Sequence, residues 1–190
     1  MDYLSNAGAF LIGTLFDLYI LAVLLRFLLQ LVRADFYNPV SQFLVKVTNP
    51  LLKPLRRLIP GWGGMDLASV LLLLGLKLME VLLLALLFDR ALPAPAGLLV
   101  LVLAQLLRLT LTVYFWSIIV QVILSWVSPG SYNPVSYLLY QLNRPLLHPA
   151  QRLLPPIGGF DLSPILVLLA LQLAQLLIVQ PIIDLGLRLA

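Results

Sequence analysis

The sequence predicts an all-α membrane protein: four transmembrane helices forming two parallel two-helix repeats, each repeat carrying short amphipathic helices at the membrane interface. Three observations predict it. Of 190 residues, 62% are hydrophobic and only 11% are charged, whereas a soluble domain carries about 45–50% apolar and about 25% charged residues. A chain this short has too little interior to hide the excess from water, so the surplus must face lipid. Four apolar stretches reach the roughly 20 residues that a helix needs to cross the hydrocarbon core. Finally, one half of the chain repeats the other.

The first stretch, about 8–32, follows an acidic start (Met1-Asp2-Tyr3) with no small-residue cleavage site, so it is expected to be retained as a span. The second, third and fourth cover about 67–89, 99–127 and 162–186. Continuous runs such as Val70 to Leu74 and Val81 to Leu87 indicate helix; a barrel strand would alternate polar and apolar residues. Long connections, about 33–66 and 128–161, separate the spans within each half, and Ala91-Leu92-Pro93-Ala94-Pro95 joins the halves. This divides the chain into repeats at 1–90 and 91–190. Arg108 is expected near the start of a tilted third span, reaching back to the interface.

Positive charge is concentrated in the two long connections, at Arg33, Lys46, Lys53, Arg56, Arg57, Arg144 and Arg152, against Arg90, Arg108 and Arg188 elsewhere. The positive-inside rule makes both connections cytoplasmic and both termini periplasmic in a bacterial inner membrane. Two spans per half then force the repeats to run parallel.

Sliding the chain by 95 positions aligns Tyr37–Ser69 with Tyr132–Pro164 without a gap, and about half of the pairs are identical. The matches include Asn38/Asn133, Pro39/Pro134, Pro50/Pro145, Pro54/Pro149, Arg57/Arg152, Pro60/Pro155, Gly63/Gly158, Gly64/Gly159 and Asp66/Asp161. Leucine abundance cannot generate such a series, so the chain holds an internal duplication. Asn-Pro reads as an N-cap and first-turn proline. A second short helix is expected after Pro50 or Pro145, kinked by Pro54 or Pro149. Its cations, Lys53, Arg56 and Arg57 in one copy and Arg144 and Arg152 around the other, should face lipid headgroups or partners. Gly-Gly allows a reversal. Asp66 and Asp161 then stand at the mouths of spans, where a carboxylate caps free amides.

The segments NPLLKPLRRLIPGWGGMDLAS and RPLLHPAQRLLPPIGGFDLSP resemble the two halves of a YggT-family (YlmG-like) membrane protein, over nearly the whole chain. Departures from that pattern are Ala68-Ser69, Asn143-Arg144 and Gln151. No enzymatic activity is established for that family, so the resemblance supplies none. It implies links to osmotic tolerance and cell division in bacteria, and in plastid relatives to cytochrome b6 assembly and nucleoid organisation.

Charges at membrane depth cost about 2.5–3.5 kcal/mol each on insertion scales and normally face protein or water. The first half has Asp17 and Arg26 in one span and Lys77 and Glu80 in the next; their counterparts are Thr112, Gln121, Gln172 and Gln175. Lys77 and Glu80 share a helix face. At about 1.5 Å per residue from the cytoplasmic end, Arg26 lies about 10 Å deep, Lys77 about 15, Glu80 about 20 and Asp17 about 24. Contacts Arg26–Glu80 or Asp17–Lys77 are therefore expected, with Gln121, Gln172 and Gln175 as a neutral version. Such a set either ties helices in register or lines an ion path.

No catalytic, cofactor-binding or metal site is predicted. The chain has no cysteine and one histidine, His148, too few ligands for zinc, and no Walker loop, HExxH or nucleophile elbow. Gly-Gly-x-Asp is reminiscent of intramembrane aspartyl proteases, but each Asp opens its own helix and repeats with the duplication. The net charge of +4 fits anionic lipid better than nucleic acid. Tyr37, Trp62, Trp126, Tyr132, Tyr137 and Tyr140 suit interfacial belts, while Tyr114 and Trp116 lie deeper and are expected between helices. The expected function is a non-enzymatic membrane scaffold or assembly factor that binds lipids and membrane-protein partners. A homo-oligomer is compatible with it; a small ion or solute channel is the rival.

Overall fold

The computed structural model describes residues 3–61, 64–88, 94–127, 133–154 and 161–189. Among them there is helix and no strand. The expectations for Trp62, Gly63, Arg90, Tyr132, Pro155 and Gly158-Gly159 lie outside these residues. Four helices are long and apolar enough to cross a membrane: Tyr3–Leu31 (α1), Leu67–Leu87 (α3), Pro95–Val127 (α4) and Ser163–Arg188. The last consists of α6 (Ser163–Ala174), a π-helical turn at Gln175–Val179 and α7 (Gln180–Arg188). Pro181 offers no N–H to the turn before it, and the wider turn re-registers the ladder.

Between the spans of each repeat lies an amphipathic helix, α2 (Pro39–Leu58) or α5 (Pro134–Leu153). Asn38 and Asn133 open them, each side chain accepting from the amide two residues on. Here the structure departs from expectation, because one 20-residue helix stands where two short ones were anticipated. Pro50 and Pro54 lie one turn apart on the exposed side, as do Pro145 and Pro149. The carbonyls they leave without N–H partners therefore face outward, where water can bond them.

The turn into α2 is built tightly. Arg33 adopts a left-handed φ of 54° and closes α1 with a Schellman pair, Ala34 N to Leu29 O at 2.8 Å and Arg33 N to Gln30 O at 3.0 Å. Gly64, at φ 83°, reverses the chain before α3, a conformation open to glycine at little cost.

Within each repeat the two spans pack along one another and the amphipathic helix rests across them. Gly186 lets α7 approach α4 closely, since a Cβ there would come within 3.2 Å of the Leu101 backbone. The openings of α2 and α5 meet: Asn38 Nδ2 donates to Pro134 O at 2.7 Å, and the Asp35 amide donates to Gln141 Oε1 at 3.0 Å. Both amphipathic helices thus lie at the same end of the bundle, as parallel repeats require.

Candidate functional site

Polar side chains among the spans form three ties in the first repeat. The deepest joins α1 to α3: Lys77 Nζ lies 3.0 Å from Asp17 Oδ1 and 2.8 Å from Glu80 Oε2. Glu80 is buried while Asp17 is exposed, opening into a cavity of about 490 Å³ between the repeats that Thr14, Lys77, Gln105, Arg108 and Thr112 also line. Arg108 is thus placed differently from expectation. The helix begins at Pro95, which puts Arg108 about 20 Å along it and beside this groove.

The second tie joins α1 to α2. Buried Arg26 does not reach Glu80; its Nη1 donates to Thr48 Oγ1 at 2.6 Å, Asn49 Oδ1 at 3.0 Å and Val45 O at 3.4 Å. Its Nε has no partner among the described residues. The third tie joins α2 to the mouth of α3. Arg56 pairs with buried Asp66, which also accepts from Ser69 Oγ at 2.5 Å, and Arg56 Nη2 donates to Gln30 at 3.0 Å. Against expectation, Asp66 makes no side-chain cap on α3; its carboxylate is held by the Arg56 guanidinium and the Ser69 hydroxyl. Arg56 remains exposed while it makes this pair. Burial raises the Asp66 carboxyl's pKa, but the Arg56 and Ser69 hydrogen bonds and the Arg56 charge more than offset it, leaving it below the ordinary value.

Two of the ties recur 95 positions on with an amide in place of the arginine, and the deepest recurs only as a long contact between Gln175 and Thr112. Asn143 Nδ2 donates to Gln121 Oε1 at 2.8 Å where Arg26 meets Thr48, and Ser117 Oγ donates to Asn143 Oδ1 at 2.6 Å. Gln151 Nε2 donates to Asp161 at 2.8 Å where Arg56 meets Asp66. Asp161 does hold the start of its span, accepting from the Ser163 amide at 2.9 Å. Burial raises its pKa as well, and the bonds from Ser163 and Gln151 outweigh it downward. Gln175 lies 3.4 Å from Thr112. Gln172 is exposed and takes no part in this network among the described residues. Thr48, Asn49, Gln30 and Ser117 complete the ties without having been singled out from sequence, as does Asn143, noted there only as a departure from the family pattern. Their signal was the pairing of polar positions 48/143 with 26/121 across the duplication.

α2 has three sectors. Ser41, Leu44, Thr48 and Leu52 are buried against the bundle. Val40, Phe43, Leu51 and Leu58 form an exposed apolar flank, and Gln42, Lys46, Lys53 and Arg57 an exposed polar one. A helix with one face on protein, one apolar and one cationic fits the boundary between hydrocarbon and water. Lys53, Arg57, Arg144 and Arg152 are exposed. Trp116, expected between helices, points outward, while Tyr114 is half-buried and packs against both cores.

The model of the CCB3/YggT family matches residues 5–87 and again 100–182. The chain belongs to the CCB3/YggT family. It is 50% identical over 177 residues to an uncharacterized protein of Pseudomonas aeruginosa, covering 93% of this chain and 90% of that one. An uncharacterized Vibrio alginolyticus protein from the proC 3′ region is 44% identical over 173 residues, covering 90% and 93%. The uncharacterized protein YggT of Escherichia coli K12 is 42% identical over 175 residues, covering 90% and 88%. No solved structure matches the chain.

Proposed function

We propose that this YggT-family protein is a non-enzymatic membrane scaffold: a rigid four-span bundle that holds α2 and α5 as a platform at one membrane surface. The observation that carries this reading is where the polar residues of the spans go. Arg26 and Gln121 bond to the platform helices, and Arg56 and Gln151 bond those helices back to the mouths of α3 and α6. Polar contacts therefore fix the platform to the spans and leave Lys53, Arg57, Arg144 and Arg152 outward for anionic headgroups or acidic partners. The positive-inside bias puts that surface in the cytoplasm of a bacterial inner membrane, with both termini periplasmic. Such a platform suits the assembly of other membrane proteins. Crosslinking at Lys53→Cys and Arg152→Cys in cells, followed by identification of adducts, tests it. A recurrent membrane-protein partner set is expected, and adducts to random bystanders alone would refute it.

One observation favours a second reading, a solute or ion pathway. The groove that holds Asp17, Lys77 and Arg108 sets charged side chains among leucines at membrane depth. Flux through purified protein in liposomes separates the readings. Flux abolished by Glu80→Gln would defeat the scaffold. No flux from the native protein, with that substitution lowering only thermal stability, would defeat the pathway.

A further inference from the structure

The groove between the repeats holds polar groups that the duplication does not account for. Asp17, Lys77 and Glu80 all have polar counterparts 95 positions on, but Gln105 and Arg108 of α4 have none, their twins being Phe10 and Gly13. Both nevertheless line the groove, together with Thr14 and Asp17 of α1. Thr14 and Asp17 share one face of α1, and Gln105, Arg108 and Thr112 share one face of α4. Asp17 and Arg108 each stand about 20 Å along their helices from the end away from the platform, so they are level across the groove.

The two walls differ in what they present. Asp17 is exposed and gives Oδ1 to Lys77, while its Oδ2 accepts nothing among the described residues. The Thr14 hydroxyl donates to Phe10 O and so has only lone pairs left for the groove. On α4, Arg108 enters hydrogen bonding through its carbonyl, which accepts from Thr112. Its exposed guanidinium and the Gln105 amide have no partner among the described residues. One wall therefore accepts and the other donates. Asp17 and Glu80 together balance Lys77 and Arg108, so this cluster carries no net charge. A lone ion entering it adds an uncompensated charge among leucines at membrane depth, which is disfavoured; a neutral dipolar molecule adds none.

We propose that the groove binds a small zwitterion, its ammonium on Asp17 Oδ2 and Thr14 Oγ1 and its oxyanion on the Arg108 guanidinium and the Gln105 amide. A guanidinium holds a carboxylate or a phosphate in two parallel bonds, and a groove of about 490 Å³ has room for such a molecule. A free amino acid and the ethanolamine phosphate headgroup of a lipid both carry this pair of groups. The inference is independent of the scaffold reading. It gives a ligand class to the groove on which the pathway reading rests, without requiring transport.

Saturation-transfer NMR on the full chain in nanodiscs of phosphatidylglycerol tests it. β-Alanine and glycerophosphoethanolamine should bind, while acetate and ethylammonium, which carry one charge each, should bind about tenfold more weakly or less. Arg108→Gln breaks no bond among the described residues and should fold as the native chain does, yet weaken β-alanine about tenfold. Asp17→Asn, which keeps an oxygen for Lys77, should weaken it likewise. Displacement of β-alanine on adding phosphatidylethanolamine to the nanodiscs would assign the groove to a lipid headgroup, and unchanged binding would assign it to a free solute; either upholds the proposal. Zwitterion binding without flux also upholds it and tells against the pathway alone. Acetate or ethylammonium binding as tightly as β-alanine, binding that survives Arg108→Gln, or no binding of either zwitterion would overturn it.

Discussion

In the first repeat Arg26 reaches Thr48, Arg56 reaches Asp66, and Lys77 joins Asp17 to Glu80. In the second, Gln121 meets Asn143, Gln151 meets Asp161, and Gln175 approaches Thr112. The same register positions are polar in both repeats, but where the first has Asp17, Arg26, Arg56, Lys77 and Glu80 the second has Thr112, Gln121, Gln151, Gln172 and Gln175, while Asp161 keeps the carboxylate of Asp66. A polar side chain at these points is common to both repeats, and at those five positions charge is confined to the first. Asp17 and Lys77 of that set face the groove that Arg108 of the second repeat also lines. Charged and neutral ties also differ in how they fail. A buried ion pair stripped of one partner leaves an uncompensated charge, whereas an amide pair in a membrane loses only a modest hydrogen bond.

The largest asymmetry should come from Lys77→Met, which leaves buried Glu80 unpaired. It should cost about 3–5 kcal/mol, against less than about 1 kcal/mol for Gln175→Met, which loses only its contact with Thr112, both read from unfolding in bicelles. Equal costs would break the comparison. Next, Arg26→Leu should cost about 1.5–3 kcal/mol, the worth of hydrogen bonds to a charged group, and should increase protease access to α2 while leaving α5 unchanged.

Acid sharpens the contrast at the platform. The Asp66 carboxyl is held below its ordinary pKa when folded. Its stabilising contribution is therefore complete above the unfolded value of about 3.9 and is lost as pH falls through the lower folded value. Arg56→Gln gives position 56 the residue type found at position 151. Removing the guanidinium should raise the pH at which that contribution disappears, seen as an upward shift in the acid-unfolding midpoint. The smallest change is expected from the triple substitution Asp17→Thr, Lys77→Gln, Glu80→Gln, which copies the second repeat's residues. Its stability should stay within about 1 kcal/mol of the native chain, far less than Lys77→Met alone costs.

Much of the fold was legible in sequence because it rests on two crude signals. Apolar length marks the spans, and the run of Pro, Gly, Asn and Asp matches at a fixed offset marks the duplication. The ties were less legible. Depth along a helix suggests Arg26 with Glu80 as readily as Asp17 with Lys77, because nothing in the sequence tells how closely α2 rests on α1. Asp66 read as a cap since it precedes a helix. Its capture by Arg56 depends on the reversal at Gly64 bringing the end of α2 back over α3. The continuity of α2 through Pro50 and Pro54 follows from their shared exposed side, which becomes visible only once the buried side is known.

Parallel repeats with α2 and α5 at one surface are the central claim, and labelling from a single side tests it most directly. Lys53→Cys and Arg152→Cys, each in the otherwise cysteine-free chain, should both react with a membrane-impermeant maleimide in inverted vesicles and both resist it in intact spheroplasts. One of them reacting only in vesicles and the other only in spheroplasts would contradict it.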